Sequence, residues 1–379
     1  MNIGIDVRPA LRAKTGVGNY VLNLVLSLID LKRENQYHLF SNSFRDRFSL
    51  QQIHDLANWH IRDFRFPNLF MNYLWNHVGG FPINRLLDGI EVFHFTGAIA
   101  PRLEGISTVA SVYDLYHLRH PEWVEKKHRV ALHKWKDNLA GVSKIICISA
   151  FTKKDLIDFL GVPPEKIEVI PLGVNSSVFK PMNKQDCDQY LKTRFQLEGE
   201  FLLYVGTLET KKNLPRLIEA FRIALARHPH LKLVMVGDPG KGFEEIQKQS
   251  RSLGLEKSIR RLGYLDADQN LPYLYCGALA FVLPSLYEGF GLPLLEAFAC
   301  ETPVAASNCT SIPEVTGDAA LLFDPYQPED IAAKILQILD DRDLARTLKE
   351  KASVRAKTFT WADTAKKTLK VYESLRPCR

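Results

Sequence analysis

The chain has 379 residues, of which 24% are charged and 46% hydrophobic, and it carries a formal net charge of +6. This length predicts two or three domains, each large enough for its own core, and the charge is too small to favour nucleic acid as a partner. The N-terminus lacks the features of a signal peptide, and no apolar run is long enough to span a membrane. We therefore expect a cytoplasmic protein, with a mildly basic surface that suits an anionic ligand or the cytoplasmic face of a membrane.

Six cysteines are scattered through the chain, at 147, 187, 276, 300, 309 and 378. They form no CxxC pair, and Cys147, Cys276 and Cys300 lie in apolar runs, as small core residues do. This pattern predicts a reducing compartment, no disulfide framework and no zinc site.

The first half of the chain opens with a predicted strand at 2–7, a polar loop at 8–19 and a helix at 20–31. This order recurs in nucleotide-binding α/β folds, although the full GxGxxG fingerprint is missing. Gly16 and Gly18 in the loop either form a tight turn or let the backbone approach a phosphate or sugar. The elements predicted next are strands at 37–40, 60–64, 92–95, 108–113, 144–149 and 167–170, with a helix at 151–160.

Two segments of the first half combine aromatic or basic side chains in unusual number. Residues 68–87 are rich in aromatic side chains, and residues 121–139, a predicted helix, mix tryptophans with lysines and arginine. Core or interdomain packing explains the first segment, and a solvated basic face explains the second. The alternatives are an acceptor-side or membrane-facing surface for the first and attraction to anionic lipid headgroups for the second.

The second half restarts the alternation of strands and helices after a polar stretch at 176–200 that we expect to be irregular. The domain boundary is therefore placed between 177 and 178. Alternating strands and helices predict a doubly wound parallel sheet in each half. The predicted strands are 201–205, 232–236, 259–262, 278–283, 303–307 and 319–323, and the predicted helices are 214–227, 243–253, 271–276, 293–299, 328–340, 344–358 and 361–375.

The loop VGTLETKKN holds Lys211 and Lys212 just before a predicted helix. A cation at a helix N-terminus is unfavourable by itself, but it is stabilised if a phosphate lies between the helix end and the ammonium group. Lys212, next to Asn213, is the better candidate for such a phosphate ligand. The alternative is a solvated lysine pair.

The stretch PSLYEGFGLPLLE, residues 284–296, places Glu288 and Glu296 on either side of a glycine loop and a helix N-terminus. Glycine loops and helix N-termini present N–H groups to anions, whereas glutamates accept hydrogen bonds from hydroxyl groups. A sugar nucleotide carries both phosphates and hydroxyls. We expect Glu288 to face the transferred sugar and Glu296, about two turns into the helix, to face the ribose.

These motifs resemble retaining, family-four glycosyltransferases of the GT-B fold, especially mannosyltransferase-like members. The similar segments are VGTLETKKNL, PSLYEGFGLPLLEAFACETPVAAS and SIPEVTGDAALLFDP in the second half, and GIDVRPALRAKTGVGNY, ICISAFTKKDL and IPLGVN in the first. The resemblance implies two Rossmann-like domains that face a cleft. Residues 1–177 with a crossover helix at 360–379 would form the acceptor side, and 178–359 would bind the donor.

The resemblance also implies roles for single residues. Glu288 would contact the hydroxyls of the transferred sugar, helped by the backbone at Phe290 and Gly291. Glu296 would hold the ribose, and Lys212 would neutralise the diphosphate in place of a metal ion. The remaining donor-side positions are Gly16, Gly18, Thr207, Lys211, Gly289 and Leu292, with Gly263 and Tyr264 at the base.

Two positions depart from the family pattern. Thr207 stands where many members have arginine, so Lys211 is expected to share the charge at the diphosphate. Many family members have a His-Asp pair at the end of a strand, and its histidine usually touches the transferred sugar. Here Tyr113 stands in place of that histidine. Asp114 follows it and is a third catalytic candidate beside Glu288 and Lys212. Either Tyr113 or His117 would take the histidine's role, and a role unrelated to the sugar is the alternative for His117.

The function implied by the resemblance is retaining, metal-independent transfer of a hexose to a glycan or lipid-linked acceptor in polysaccharide biosynthesis. Among hexose donors the resemblance implies mannose from GDP-mannose, and no cofactor is expected. Two alternatives stay open. One is a sugar-nucleotide epimerase or synthase on the same fold, and the other is a non-catalytic homologue that binds nucleotide or membrane.

Overall fold

A computed structural model of the chain describes residues 1–11, 16–31, 34–53, 55–66, 86–87, 89–97, 103, 105–124 and 136–376. The chain divides into two compact units, one of Met1–Leu172 with Trp361–Arg379 and the other of Gly173–Thr360. The sequence-based division at 177/178 and 359/360 lies close to these limits. Most of the aromatic segment 68–87 and of the basic segment 121–139 lies outside the described residues.

The first unit contains a seven-stranded parallel sheet in the order β3-β2-β1-β4-β5-β6-β7. Apolar side chains cover both faces of its central strands, as parallel sheets with helices on both sides require, and β4 is buried along its whole length. The strand order reverses between β1 and β4. The strands are β1 Asn2–Asp6, β2 Gln36–Asn42, β3 Trp59–Phe64, β4 Val92–Phe95, β5 Ser107–Val112, β6 Lys144–Cys147 and β7 Ile167–Val169.

The helices described in the first unit are α1 Gly16–Asp30, α2 Tyr116–Arg119, α3 Ala150–Leu160 and the C-terminal helix α12 Trp361–Ser374. Helix α1 begins at Gly16, so Gly16 and Gly18 belong to its first turn and the prediction of a loop there was wrong. Glycine has a low helix propensity, and for this reason the sequence favoured a loop at these positions. The first turn of a helix tolerates glycine at small cost. Ser149 caps α3 by accepting a hydrogen bond from the Thr152 N–H at 3.0 Å.

The second unit contains a six-stranded parallel sheet in the order β10-β9-β8-β11-β12-β13. Its strand order reverses between β8 and β11. The two sheets confirm the predicted pair of doubly wound parallel sheets. The strands are β8 Phe201–Val205, β9 Lys232–Val236, β10 Ile259–Gly263, β11 Ala280–Leu283, β12 Val304–Ser307 and β13 Leu321–Phe323.

The helices of the second unit include one that the sequence interpretation missed. Helix α4 occupies part of the stretch that was expected to be irregular, and Asn183 caps it by accepting from the Gln185 N–H at 2.8 Å. It buries only Cys187 and Leu191, so its apolar periodicity is weak. The helices are α4 Lys184–Phe195, α5 Leu214–Arg227, α6 Phe243–Ser252, α7 Ala267–Gly277, α8 Leu292–Ala299, α9 Ile312–Thr316, α10 Pro328–Asp340 and α11 Arg342–Ala356.

Helix α12 follows the second unit in sequence but packs within the first. Its Thr364 hydroxyl donates to the Pro171 carbonyl at 2.8 Å, and its Tyr372 hydroxyl lies 2.6 Å from Nδ1 of His94 on β4. Among the helices of the described ranges, none combines the length and apolar character needed to cross a membrane.

Candidate functional site

The candidate site of the second unit lies where its strand order reverses. Strands β8 and β11 are neighbours there, and each continues from its carboxyl end into a loop, 206–213 and 284–291. Because ligands of open α/β sheets bind at the carboxyl ends of strands beside such a reversal, these loops are the expected binding position. They carry both lysines and the first glutamate of the sequence motifs.

The loop after β8 is packed tightly against the end of β9. The Leu208 N–H donates to the Asp238 carbonyl at 2.9 Å. Gly237 lies so close to Gly206 that a Cβ on Gly237 would stand 2.1 Å from the Gly206 carbonyl oxygen. A side chain at position 237 would therefore push this loop out of its position.

Asn213 connects the loop after β8 to two other loops by hydrogen bonds. Its side chain is buried, and its backbone has φ 57°, in the left-handed region. Its amide nitrogen donates to the carbonyls of Pro284 at 3.1 Å and Pro325 at 2.7 Å, and its amide oxygen accepts from Arg216 at 2.8 Å. The residue after Lys212 thereby fixes the start of the loop that carries Glu288.

Lys212 and Glu288 form an ion pair across the two loops. The Lys212 Nζ atom lies 2.6 Å from Glu288 Oε1, and both side chains are largely buried, 14% and 12% exposed. Ser285 Oγ donates to the same carboxylate oxygen at 2.7 Å. Burial alone would raise the pKa of Glu288, but the charges of Lys212 and Lys211 and the two hydrogen bonds hold this pKa below its ordinary value.

Lys211 and Thr207 lie in the same loop as Lys212 and contact neighbouring residues of the two loops and of β8. The Lys211 ammonium lies 3.5 Å from Glu209 Oε1, and its carbonyl accepts from the Leu286 N–H at 2.8 Å. The Thr207 carbonyl accepts from the buried Tyr204 hydroxyl at 3.0 Å. The position that carries arginine in many family members thus contributes backbone contacts here and no positive charge.

The glycine loop leads directly into helix α8. Gly291 has φ 99° and Leu292 is the first helical residue, so the first N–H groups of α8 stand beside Gly289 and Phe290. Helix N-termini leave such N–H groups without partners in the helix, and they carry a partial positive charge. The Phe290 ring is buried and packs edge-on against Phe359, which leaves its backbone as the part that can meet a ligand.

Glu296 is the fifth residue of α8, only about one turn into the helix. The expectation of two turns was therefore wrong, and it also disagreed with the predicted helix at 293–299, in which Glu296 is only the fourth residue. Tyr275 of α7 is buried beneath it and donates its hydroxyl to Glu296 Oε2 at 2.8 Å. Burial and the nearby Glu296 carboxylate raise the pKa of Tyr275 well above its ordinary value, so this hydroxyl remains a donor.

Gly263 and Tyr264 lie at the carboxyl end of β10, two strands from β8 in the same sheet. Gly263 has φ 69°, and its carbonyl accepts from the Gly237 N–H at 2.8 Å. The Tyr264 side chain is 47% exposed. Backbone and aromatic surface are therefore both available at the position that the resemblance assigns to the base.

The remaining candidates belong to the first unit. Tyr113 and Asp114 directly follow β5, and the Tyr113 hydroxyl donates to the Thr96 carbonyl at 2.8 Å. Burial raises the pKa of Tyr113 well above its ordinary value, with further contributions from neighbours such as Tyr20. The hydroxyl hydrogen of Tyr113 is therefore already engaged within the unit. His117, on α2, is buried and packs edge-on against Tyr116.

Several residues that shape the site were not identified from the sequence. Within the described part of the chain, no group of three or more histidine, cysteine or acidic side chains could hold a metal ion. The missed contacts are the hydrogen bonds that Ser285, Tyr275 and Thr310 make to the two glutamates. Asn213 adds a hydrogen bond to Pro284 in the loop that carries Glu288. Asparagine beside a helix start was a usable signal, because it tolerates the left-handed region. Tyr275 and Thr310 had no signal, since only the tertiary fold brings them to the motif.

The second unit is matched by the model of glycosyl transferases group 1 over residues 190–355, and the first by that of Glycosyltransferase Family 4 over residues 14–178. In fold, the chain is similar to a sucrose-phosphate synthase from Thermosynechococcus elongatus. That comparison has a TM-score of 0.76 at 21% identity and covers 99% of this chain and 98% of that one. The architecture is thus that of the GT-B glycosyltransferases.

Two relatives from Escherichia coli are similar in sequence. The O-antigen chain mannosyltransferase B is 31% identical over 99% of this chain and 100% of its own length. The serotype-specific mannosyltransferase WbdA is 33% identical over 58% of this chain and 27% of its own length. The chain belongs to glycosyltransferase family 4 and is a hexosyltransferase.

Proposed function

We propose that the protein is a retaining, metal-independent mannosyltransferase that moves mannose from GDP-mannose to a glycan or lipid-linked acceptor in polysaccharide biosynthesis. The Lys212–Glu288 pair at the reversal of strand order carries the proposal. It places a cation beside a carboxylate that can accept hydrogen bonds from hydroxyl groups. The choice of mannose and of a polysaccharide acceptor is supported by the two relatives, both of which are mannosyltransferases.

Lys212 and Glu288 have different roles in the proposed chemistry. Glycosyl transfer develops positive charge on the sugar while negative charge grows on the leaving diphosphate. Lys212, helped by Lys211 and the N-terminus of α8, would stabilise that negative charge. Glu288 would accept hydrogen bonds from the sugar hydroxyls. Donor binding would then separate Lys212 from Glu288, and each side chain would exchange its partner in the protein for one on the donor.

The other predicted residues would bind the two ends of the donor and the acceptor. Glu296 would accept from the ribose hydroxyls, and Gly263 with Tyr264 would meet the base. In the first unit, Asp114 and either Tyr113 or His117 would serve the sugar or the acceptor, and the N-terminal turn of α1 offers the backbone of Gly16 and Gly18. Because the Tyr113 hydroxyl already donates to Thr96, His117 is the better candidate to test first.

The test is transfer by the purified protein from a panel of GDP-, UDP-, ADP- and dTDP-sugars to mannosylated oligosaccharide or lipid-linked acceptors. We expect GDP-mannose to be used and the product to be the α-anomer by NMR. Glu288→Gln and Lys212→Met should each lower kcat/KM about 100-fold, while the exposed control Glu350→Gln should leave it unchanged.

Other outcomes would contradict the proposal. No turnover of any donor would favour a nucleotide-binding homologue, and conversion of the donor without an acceptor would favour an epimerase. An unchanged rate in Glu288→Gln would show that this glutamate does not serve the sugar. Inversion of the anomeric centre would remove the retaining mechanism.

We also propose peripheral contact with the cytoplasmic face of a membrane, where a lipid-linked acceptor would be found. The basic residues within 121–139 motivate this, since each lysine or arginine near an anionic surface adds about 1 kcal/mol of attraction. Co-sedimentation with liposomes that contain anionic lipid should exceed that with neutral liposomes and fall with salt. Equal co-sedimentation with both would remove this proposal.

A further inference from the structure

The segment after β12 holds the backbone of Glu288 at both of its polar groups. Thr310 Oγ1 accepts from the Glu288 N–H at 3.1 Å, and Ser311 Oγ donates to the Glu288 carbonyl at 2.9 Å. The Cys309 thiol donates to the Ser285 carbonyl at 3.4 Å. Three consecutive side chains therefore contact the loop that carries the glutamate.

Thr310 makes its contact from a strained backbone. Its φ is 56°, in the left-handed region that β-branched residues rarely adopt. The four non-glycine residues with positive φ in the described ranges are Gln196, Asn213, Glu301 and Thr310. Such strain persists only where the surroundings enforce it, and it is concentrated at functional sites.

The usual cause of this conformation does not apply to Thr310. Gln196 ends helix α4 and Glu301 follows the end of α8, and left-handed residues are common where helices end. Thr310 instead precedes α9, which begins at Ile312. Asn213 follows the short 3₁₀ helix Thr210–Lys212, and asparagine tolerates this region; its amide donates to Pro284 in the same loop as Glu288. Thr310 is therefore the one of the four that does not follow a helix, and its hydroxyl contacts the loop that carries Glu288.

We infer that Thr310 is a positioning residue for the transfer reaction, holding Glu288 in the orientation that receives the sugar hydroxyls. This inference rests on the role given to Glu288 in the proposed function. The left-handed backbone turns Thr310 Oγ1 towards the Glu288 N–H, and the hydrogen bond fixes the backbone from which the carboxylate extends. The strain is the cost of that orientation.

Three substitutions at this position separate the hydroxyl from the strain. Thr310→Ser keeps the hydroxyl, Thr310→Val keeps the shape without it, and Thr310→Gly removes the hydroxyl and relieves the strain. We expect kcat within twofold of wild type in Thr310→Ser and about tenfold lower in the other two. The Kd for the nucleoside diphosphate should stay within twofold in all three, because Glu288 is assigned to the sugar.

Thermal unfolding distinguishes positioning from a merely structural role. We expect Thr310→Gly to unfold at a temperature no lower than wild type while its kcat falls, since strain relief offsets the lost hydrogen bond. A structural role would lower the unfolding temperature and leave kcat unchanged. Wild-type kcat in Thr310→Val or Thr310→Gly, or no rescue by serine, would overturn the inference.

Crystal structures of the variants supply a result that does not depend on turnover. In Thr310→Gly we expect the 284–288 loop to move and the distance between Lys212 Nζ and Glu288 Oε1 to lengthen. If the wild type transfers no sugar, the proposed function fails, and this distance still decides the role of Thr310. A superimposable loop with the ion pair intact would overturn the inference by itself.

Discussion

At the scale of single residues, the charges of the candidate site are balanced within the protein before any ligand is bound. Lys212 pairs with Glu288, and Lys211 lies beside Glu209. Because ion pairing lowers the pKa of the largely buried Glu288, this carboxylate stays charged and can accept hydrogen bonds at neutral pH. In the proposed mechanism, a donor that separates this pair offers a phosphate to Lys212 and sugar hydroxyl groups to Glu288, and a sugar nucleotide carries both.

Tyr275→Phe tests whether Glu296 is held in place for the ribose. The change deletes the hydroxyl that donates to Glu296 Oε2 at 2.8 Å and keeps the buried ring. A hydrogen bond to a charged group contributes about 1.5–3 kcal/mol, so we expect KM for the donor to rise about tenfold with kcat within twofold. Steady-state kinetics with saturating acceptor measure both constants.

The matched control for Tyr275→Phe is a donor analogue that lacks a ribose hydroxyl. The wild type should lose affinity for this analogue, while Tyr275→Phe should discriminate less between the two donors. A fall in kcat with unchanged KM would contradict the assignment of Glu296 to the ribose.

At the scale of elements, continuous apolar runs and helical periodicity predicted the strands and most helices, because burial on both faces of a parallel sheet leaves a strong pattern. The errors occurred where burial is weak. Helix α4 buries two side chains and is stabilised by its cap, and the first turn of α1 contains two glycines. Helix propensity and apolar periodicity do not predict a weakly buried helix such as α4 or a helix start such as that of α1, because these depend on capping and tertiary contacts.

Gly237→Ala tests the close approach of the loops after β8 and β9. A Cβ at 237 would meet the Gly206 carbonyl at 2.1 Å, and Gly237 itself has φ 141°. We expect the free energy of unfolding to fall by at least about 3 kcal/mol, since a clash with the backbone and strain act together. Urea unfolding measures this loss. Affinity for the nucleoside diphosphate should fall too, because the same loop carries Lys212.

Gly254→Ala is the matched control for that substitution. Gly254 has φ 66°, and a Cβ there would meet nothing within 4 Å. It should therefore cost only about 1 kcal/mol, as strain without a clash does, and leave ligand affinity unchanged. Equal losses of unfolding free energy in the two variants would show that the clash with Gly206 adds nothing to the cost of Gly237→Ala.

At the scale of the whole molecule, the two sheets each reverse their strand order, and the sequence motifs lie on the loops that follow the strands. The alternation of elements was enough to predict this architecture. The motifs identified Lys212 and Glu288, but the sequence could not reveal that they pair with each other, because the two residues are 76 positions apart in the chain. Contacts that support a site depend on which strands are neighbours, and that information belongs to the folded chain.

A buried polar network joins four elements of the first unit. His94 on β4 lies 2.6 Å from the Tyr372 hydroxyl of α12 and 2.8 Å from Ser111 Oγ on β5, which in turn lies 3.0 Å from the Tyr20 hydroxyl of α1. Burial lowers the pKa of His94 to about 3. Burial also raises the pKa of Tyr20 to about 12 and that of Tyr372 well above its ordinary value, so both keep their protons.

This network should make the protein sensitive to acid through a single histidine. Below its ordinary pKa of 6.5, His94 takes up a proton in the unfolded chain, whereas in the folded protein it does so only near pH 3. The unfolded state therefore binds more protons between these values, and the free energy of unfolding falls as the pH falls, by up to about 1.4 kcal/mol per pH unit. His94→Gln keeps a polar side chain that does not titrate. Urea unfolding from pH 7 to pH 4 should show a decrease about 3 kcal/mol larger in the wild type than in His94→Gln, and parallel pH profiles would show that His94 is not held neutral.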